Sequence, residues 1–315
     1  MIDVRRLKVL REVAARGSFS GAGEALGYTQ SAVSQQIAAL ERETGSVLVE
    51  RNARGVRLTE AGRTLVEHAD GILARLAAAE DELEALAGLR GGRLRLASFP
   101  TAGATLVPLA IAEFSSRHPE VELSLVEAEP EEAVPMLKGG ELDVALLFEY
   151  SSLAEAGEGL DLTDVEQAHL LDDPMYLALP PDHPLARRRT IKLEDLAEES
   201  WVQGDCNGLC GQMHIAACRS AGFTPRVGFQ TNDYNVVQGL VAAGVAVSLI
   251  AELALANVRE DIVVRSLGRR APLRHVSAAT LAGAYRSPAV EAMVEILQGA
   301  ADAYSARRPS RLAAA

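Results

Sequence analysis

Residues 16–43 constrain the fold more than any other stretch, because their apolar spacing predicts two short helices joined by a tight turn. Ser18 and Thr29 each stand where a side chain can cap the start of a helix. Gly27 lies between them and indicates the end of the first helix. Two helices around a glycine-containing turn are typical of a helix-turn-helix, although an ordinary helical hairpin with a solvated polar face has the same pattern.

The second predicted helix has one apolar face and one polar face. Val33, Ile37 and Leu40 recur at spacings of four and three and therefore lie on one side of the helix. The opposite side is uncharged but rich in hydrogen-bonding groups, which suits the reading of base edges in a DNA major groove. The candidate DNA-binding residues in this stretch are Ser18, Thr29, Gln30, Ser31, Ser34 and Gln35.

Two short strand-like runs, residues 47–49 and 56–58, follow the helices and flank a basic turn. This pattern predicts a two-stranded wing. Arg51, Arg54 and Arg57 would then contact the DNA backbone or the adjacent minor groove, where guanidinium groups are favoured. A surface hairpin with solvated arginines is the alternative interpretation.

A long helix is predicted from the capping residue Thr59 to about residue 86. Its apolar positions are spaced alternately four and three residues apart, which is a heptad repeat. A single helix cannot bury such a seam, so the pattern predicts a homodimer that presents two recognition helices to a dyad-symmetric DNA site. Packing against the chain's own second domain is the competing explanation. The predicted dimerisation residues are Leu65, Ala69, Ile72, Leu76, Ala79, Leu83 and Leu86.

The run SFSGAGEALGYTQSAVSQQIAALE at residues 18–41 and the run GSVLVERNARGVRLTEAG at residues 45–62 resemble the N-terminal domain of LysR-type transcriptional regulators. Two departures occur within them. Gly21 and Gly23 stand where the family usually has alanine, and each glycine costs roughly 1 kcal/mol of helix propensity. Val49 replaces a usual phenylalanine, which predicts a thinner packing contact. Neither departure affects the predicted recognition face.

The resemblance implies an N-terminal all-α winged helix-turn-helix with a long linker helix, followed by an α/β two-lobed, periplasmic-binding-protein-like effector domain. Such a protein binds promoter DNA as a homodimer or homotetramer and responds to a small-molecule effector between the lobes. The implied boundaries are 1–59 for the DNA-binding domain, 60–90 for the dimerising helix and hinge, 91–305 for the effector domain and 306–315 for a disordered tail. Lobe I would comprise about residues 91–164 and 269–305, and lobe II about 165–268.

Charge divides the chain into two parts. Residues 1–62 carry nine Lys or Arg and seven Asp or Glu, a net charge of +2, whereas the remainder carries −14 and the whole chain −12. The N-terminal part is therefore the expected DNA-facing surface. The sequence has neither a long apolar run nor the apolar core of a signal peptide, which predicts a cytoplasmic protein without a membrane partner.

Strands alternating with helices after residue 92 predict a parallel sheet with right-handed crossovers. Ligands of such sheets bind beyond the carboxyl ends of the strands, near helix N-termini. This rule selects as candidate effector-binding residues Ser98, Thr101, Phe148, Gln203, Thr231 and Asn232. Capping or turn formation is the simpler role for each residue taken singly. Donor-rich helix starts at these positions are compatible with a small carboxylate or another anion.

Other functional classes leave few signs in the sequence. The six histidines show no metal-ligand spacing, and no hydrolase nucleophile elbow, phosphate loop or dinucleotide fingerprint occurs. Catalytic residues, a metal and a cofactor are therefore not predicted. A two-lobed solute-binding protein remains an alternative, opposed by the wing and the missing signal peptide. A thiol-based redox sensor is another, because Cys206, Cys210 and Cys218 fall in the second lobe; a disulfide between the first two would require local unwinding if both lay on one helix.

Overall fold

The structure is a computed structural model that describes residues 2–52, 55–86, 92–188 and 191–307. Several predictions fall outside this range. They concern Arg54, the end of the predicted dimerising helix and hinge at residues 87–90, and most of the tail at residues 306–315. The side chains of Arg51 and Leu86 also lie outside the described set, although the backbone of both residues is described.

The first of two compact units is built on Met1–Leu89 and consists of helices with one two-stranded hairpin. Leu10, Val33 and Leu40 are completely buried in its single core, so the apolar face predicted for the second short helix is confirmed. The strands pair antiparallel. The elements are α1 (Val4–Arg16), α2 (Phe19–Leu26), α3 (Gln30–Thr44), β1 (Val49–Asn52), β2 (Gly55–Leu58) and α4 (Glu60–Leu86).

Side-chain caps set the boundaries of the two short helices. The Ser18 hydroxyl accepts a hydrogen bond from the Gly21 N–H at 3.1 Å, and the Thr29 hydroxyl accepts one from the Ala32 N–H at 3.2 Å. Helix α2 ends at Gly27, whose φ of 69° is in the left-handed region that glycine adopts readily. The predicted helix starts and the predicted break are therefore confirmed.

The hairpin begins two residues later than predicted. Backbone N–H groups of Leu48 and Val49 donate to the carboxylate of Glu41, at 2.9 and 3.3 Å. The Leu48 carbonyl accepts from the Thr59 N–H at 3.0 Å. Because these groups are already occupied, the ladder starts only at Val49, which pairs with Leu58.

The second unit is an α/β domain built on Arg90–Pro135, Leu142–Ala282 and Arg286–Ala315. Its helices are α5 (Pro100–Gly103), α6 (Leu106–Arg117), α7 (Pro130–Lys138), α8 (Ser151–Glu155), α9 (Leu209–Ser220), α10 (Tyr234–Ala242) and α11 (Pro288–Ala306). Its strands are β3 (Arg93–Ser98), β4 (Glu122–Glu127), β5 (Val144–Tyr150), β6 (Val165–Leu179), β7 (Ser200–Gln203), β8 (Arg226–Gln230), β9 (Ser248–Ala251), β10 (Val263–Ser266) and β11 (Leu273–Leu281).

The prediction of a parallel sheet is correct for only part of this unit. A seven-stranded sheet has the order β10-β6-β11-β5-β3-β4, with β9 also paired to β6, and a second sheet joins β7 and β8. Pairing is parallel between β3 and its neighbours and between β7 and β8, but antiparallel around β6 and β11. The reason is the returning chain, because β11 enters between β5 and β6 and runs opposite to both.

Strand β6 changes partners along its length. Pro174 is its last residue paired with β11, and from Met175 onward it pairs with β9 and then also with β10. Proline has no N–H to donate to a ladder, which makes Pro174 a natural place for the change. The chain therefore passes from one set of strands to the other about ten residues after position 164, where the resemblance puts the lobe boundary.

Candidate functional site

The recognition face of α3 is exposed and uncharged. Gln30, Ser31 and Gln35 are exposed, and Ser34 is half-buried. Val33 and Ile37 on the other face are buried. The hydrogen-bonding side chains thus face solvent, because the apolar face of the helix is held in the core of the first unit.

Ser18 and Thr29 have a structural role besides any contact with DNA, because each side chain caps the start of a helix. The Thr29 hydroxyl also lies 3.0 Å from the Ser31 hydroxyl. The structure explains the glycine at position 23, which the sequence did not. A Cβ atom there would lie 2.7 Å from the backbone oxygen of Tyr28. The turn between the helices therefore requires glycine at this position. Glycine lowers the helix propensity of α2, but it allows the two backbone segments to approach closely.

The wing is fastened to the end of α1. The Val56 N–H donates to the Gly17 carbonyl at 2.9 Å, and a Cβ atom at Gly55 would lie 2.7 Å from that same oxygen. Arg57 on β2 is exposed. Arg51 belongs to β1, but its side chain is outside the described set, as is the whole of Arg54.

The predicted seam of α4 divides into a buried part and an exposed part. Ala69 is completely buried and Leu65 packs against the same N-terminal core, so these two residues serve their own unit instead of a partner. Ile72 and Leu76 are each 45% exposed, and Leu83 is 66% exposed. Ala79 is exposed as well. The apolar surface left uncovered therefore begins at Ile72.

A cavity of about 540 Å³ opens in the second unit, which is within the usual range for a site that binds a small molecule. Of the predicted effector residues, Thr101 and Asn232 line this cavity. Asn232 also lines a small recess beside it, together with Gln203 and Thr231. These four candidates are therefore brought to one region of the unit from α5 and from the ends of β7 and β8.

The other two candidates are used inside the domain. Ser98 is 2% exposed, and its hydroxyl donates to the Phe99 carbonyl at 3.1 Å. Phe148 is 1% exposed and lies within β5, whereas the sequence placed it at a strand end. Its ring packs edge-on against Phe99 at a centroid distance of 4.9 Å. Phe148 reaches only a shallower hollow of about 230 Å³.

A buried ion pair lies beneath the cavity. Arg274 on β11 and Asp173 on β6 are opposite each other in the ladder, and Nε of the arginine donates to the carboxylate at 2.6 Å. Both side chains are buried, with exposed fractions of 1% and 0%. Arg274 also donates to the Thr101 hydroxyl at 2.6 Å, while the second carboxylate oxygen of Asp173 accepts from the Leu253 N–H at 3.1 Å. Such burial is tolerated because every charge has a partner.

Two aromatic rings complete the surroundings of that arginine. The guanidinium carbon lies 4.9 Å from the ring centres of both Phe99 and Phe148, within the range of a cation–π contact. The pKa of Arg274 is raised, although burial alone would lower it, because Asp173 and nearby groups stabilise the charge. Arg274 is therefore a permanent internal cation, and two of its donors are bound by Asp173 and Thr101.

The small recess contains polar atoms that have no partner within the described part of the chain. Both side-chain atoms of Gln203 are unpaired, although the residue is 1% exposed. His214 is 4% exposed, and its Nε2 lies 3.0 Å from the Leu249 carbonyl while its Nδ1 is unpaired. Burial lowers the pKa of His214 to about 4, so the ring is neutral and presents Nδ1 as an acceptor. Unpaired buried polar atoms of this kind indicate a place for a ligand or water.

Glu129 lines the cavity, the recess and the hollow, and sequence reasoning missed it. Burial raises its pKa to about 7, with Glu131 adding to the effect and Arg274 opposing it. The residue follows β4 and precedes α7, so the rule that ligands bind beyond strand ends could have selected it. His214, Asp173 and Arg274 carry no such local signal, because they lie inside a helix or strand.

The helix starts near the cavity are already occupied by the protein's own carboxylates. Glu131 accepts from the Leu209 N–H at the start of α9, and Asp233 accepts from the Asn235 N–H at 2.8 Å at the start of α10. The segment that follows β9 is capped in the same way by Asp173. One N–H at each of these helix starts is therefore used by the protein itself, whereas the start of α5 has no side-chain cap. That these helix starts suit a small carboxylate or another anion stays a prediction.

The three cysteines are free thiols. Burial raises the pKa of Cys210 to about 11 and that of Cys218 to about 12, so both stay protonated at neutral pH. Cys210 lies 3.6 Å from the Tyr150 hydroxyl. Cys206 is exposed and precedes α9, so the two cysteines do not share a helix. Low thiolate content makes Cys210 and Cys218 poor nucleophiles toward peroxide.

The described residues show neither a metal centre nor a membrane span. No group of three His, Cys, Asp or Glu side chains there is arranged to hold a metal ion. Within the same ranges, no helix has the length and apolar character needed to cross a membrane.

Comparison with known families matches almost the whole chain. Residues 4–63 match the family described as "Bacterial regulatory helix-turn-helix protein, lysR family", and residues 87–302 match "LysR substrate binding domain". The regulator ShiR of Corynebacterium glutamicum is 35% identical over 79% of this chain and 82% of its own length. An uncharacterised regulator of Bacillus subtilis, YvbU, is 31% identical over 84% of this chain and 88% of its own. OxyR of Escherichia coli is 28% identical over 82% of each.

Solved structures of LysR-family regulators share the fold of this chain. The regulator CbnR is 25% identical over 95% of this chain and 99% of its own, with a TM-score of 0.60. Its complex with target DNA also matches, at 25% identity over 95% of this chain and all of its own, with a TM-score of 0.58. A full-length OxyR of Pseudomonas aeruginosa, 23% identical over 95% of both chains with a TM-score of 0.65, shares the fold.

Proposed function

Because this chain belongs to the LysR family of DNA-binding transcriptional regulators, we propose that it binds dyad-symmetric promoter sites as a homodimer or a pair of homodimers. We further propose that a small-molecule effector in the cavity of its α/β unit controls that binding. The proposed division assigns residues 1–59 to DNA binding, 60–90 to dimerisation and 91–305 to the effector. The site of action is the cytoplasm, where promoter DNA is available.

The exposed, uncharged face of α3 carries the DNA part of this proposal. Amide side chains such as those of Gln30 and Gln35 can form paired hydrogen bonds with an adenine edge, each pair being worth about 1–3 kcal/mol of discrimination. Arg57 on the wing supplies charge for the phosphate backbone. Sequence reading and general affinity are thus assigned to different elements of one small unit.

Dimerisation is supported by the apolar surface of α4 from Ile72 onward. Three large apolar side chains at heptad spacing are exposed there, namely Ile72, Leu76 and Leu83. Exposed leucines at this spacing are stabilised when a second helix covers them. Two-fold symmetry then places the recognition helices in successive major grooves.

The effector part depends on one observation, the cavity that brings together Thr101, Asn232 and Glu129 from separate segments. A ligand that prefers one arrangement of those segments shifts the protein toward it, by no more than its difference in affinity for the two arrangements. Thiol chemistry is a weaker basis for control, since Cys210 and Cys218 are held protonated.

The test is a comparison of DNA affinity on a dyad site and on random duplex. Gln30→Ala should weaken binding to the dyad site by about 1–3 kcal/mol and leave random DNA nearly unchanged. Arg57→Ala should weaken binding to both and reduce the salt slope by about one unit. Gln167→Ala, in the other unit, is the matched control. Equal losses on both DNAs for Gln30→Ala would overturn the assignment of α3 as the reading helix.

A further inference from the structure

The charged side chains among the described residues that line the cavity of the α/β unit are all acidic. Among its lining residues Glu127, Glu129, Glu132 and Asp233 carry carboxylates, and none of the lining residues that the structure describes is a lysine, arginine or histidine. The remaining lining has uncharged polar side chains, including Asn232, Asn235 and Gln238, and apolar surface at Pro100, Ala104, Ala128, Leu253 and Ala254. The space therefore suits a molecule with an aliphatic part and a group that carries positive charge.

The recess beside the cavity adds a second, independent observation. Gln203 and His214 line it together with Glu129, and both are more than nine-tenths buried. Their unpaired atoms include two acceptors, Oε1 of the glutamine and Nδ1 of the neutral histidine. An ammonium group carries three N–H donors and no acceptor, which complements these two acceptors but leaves the Gln203 Nε2 donor to another partner. The recess measures about 20 Å³, which is room for a group of this size.

Several donors that could hold a carboxylate ligand are already used by the protein itself. Glu131 and Asp233 already accept the N–H groups at the starts of α9 and α10. Arg274 is 1% exposed and donates to Asp173 and Thr101. An anionic ligand would have to approach four carboxylates, and the described part of the chain places no cationic side chain in the lining of the cavity to offset them.

We propose that the effector is an organic cation, a primary amine on a short aliphatic stem, whose ammonium head is held in the recess by the Glu129 carboxylate, Gln203 Oε1 and His214 Nδ1. This assignment rests on the proposed function, because it names the ligand class of the same cavity. It makes Glu129 the specificity-determining residue, and it assigns Gln203 and His214 the hydrogen bonds that orient the head.

In the free protein, the surroundings of Glu129 disfavour the ionised form of its carboxyl group. Burial and the neighbouring Glu131 raise its pKa to about 7, so the carboxyl is partly protonated at neutral pH. A bound cation favours the ionised form and lowers this pKa. Binding therefore releases a proton, and affinity rises as the pH rises through 7. The charged and titratable groups that face Glu129 are Glu127, Glu131, Glu132, Arg274, Asp173, Asp233, Tyr234, Cys210 and His214.

The experiment is titration calorimetry of the full chain with three cations, namely agmatine, cadaverine and butylamine, and with two carboxylates of similar length, glutarate and valerate. We expect at least one of the cations to bind and neither carboxylate to do so. Glu129→Gln should weaken cation binding by at least roughly tenfold, because a charge-assisted hydrogen bond becomes a neutral one. Glu122→Gln removes an equal charge from an exposed position on β4 and should change affinity little.

Three outcomes would overturn the assignment: binding of a carboxylate in preference to the cations, binding of none of the three cations, or equal cation affinity in wild type and Glu129→Gln. Melting temperatures without ligand show that each variant is folded. The same preparations are assayed on the dyad site. Retained dyad preference with no cation binding would refute this inference alone, whereas lost dyad preference in the wild type would refute the proposed function.

Discussion

The two units of this protein place their polar side chains in opposite ways. In the first unit Gln30, Ser31 and Gln35 stand on an exposed helix face, with no buried charge needed to hold them there. In the second unit Asp173, Arg274 and the side chains of the recess are buried, and their partners come from distant parts of the chain. A surface that reads DNA can be specified locally, whereas an internal site for a small molecule requires the whole domain.

We expect the largest loss of stability when the buried ion pair of Arg274 and Asp173 is broken. Arg274→Ala leaves the Asp173 charge buried without its cation, which should cost about 3–5 kcal/mol of unfolding free energy in the α/β unit. Urea denaturation monitored at Trp201, a buried residue of that unit, measures this loss. Asp173→Asn combined with Arg274→Met should recover part of it.

The exposed pair Arg259–Asp261 supplies the control, since it has similar distances, 2.6 and 2.7 Å, but lies at the surface. Arg259→Ala should leave the denaturation midpoint unchanged. Equal losses for the two arginine variants would show that burial does not distinguish them, and the contrast between the units would lose its energetic basis.

The pH dependence of stability should reveal Glu129. Its folded pKa of about 7 lies above the model-compound value of 4.5, so the folded state binds more protons between these values and stability falls as the pH rises through that window. The pKa of His214 is lowered to about 4 from its ordinary value of 6.5, so its contribution makes stability rise with pH between these two values. Glu129→Gln removes only the first effect, so its stability advantage over wild type should grow with pH, by up to about 3 kcal/mol at pH 7.

Denaturation midpoints of wild type and Glu129→Gln, measured in parallel from pH 4.5 to pH 7, test this difference. Glu122→Gln serves as the exposed control on the same unit. A difference between wild type and Glu129→Gln that stays constant over the whole window would mean that Glu129 titrates normally.

A smaller effect is expected on assembly. Leu76→Asn removes an apolar side chain from the exposed seam, and each copy should lose about 1.5–3 kcal/mol of burial if a second helix covers that position. Sedimentation measures the dimer dissociation constant. Arg75→Asn changes the neighbouring exposed residue off the seam and should leave assembly intact. Unchanged assembly of both variants would refute α4 as the dimer contact.

The smallest effect concerns a helix cap. Ser18→Ala removes the acceptor of the Gly21 N–H and should destabilise the first unit by about 1 kcal/mol. Because its hydroxyl is used within the protein, dyad and random DNA should be affected equally. Ser20→Ala, at an exposed position inside α2, is the matched control and should be neutral or slightly stabilising. A loss confined to the dyad site would show that Ser18 reads bases.

The sequence predicted what depends on neighbouring residues. The caps at Ser18 and Thr29 and the helix end at Gly27 were predictable, because spacing and capping chemistry act within a few positions. The antiparallel pairing of β11 was not, because it depends on where a strand is inserted. The carboxylate at the start of α9 was not predictable either, because Glu131 is 78 positions away from its partner Leu209.

The position of β11 has a consequence for how the protein is made. This strand lies in the middle of the seven-stranded sheet, between β5 and β6, yet it is close to the end of the 315-residue chain. While the ribosome is still producing the preceding residues, β5 and β6 have no strand between them and Asp173 has no cation. Such unpaired edges favour aggregation in partly made chains. We therefore expect early termination or slow translation before Leu273 to yield a product that chaperones must hold.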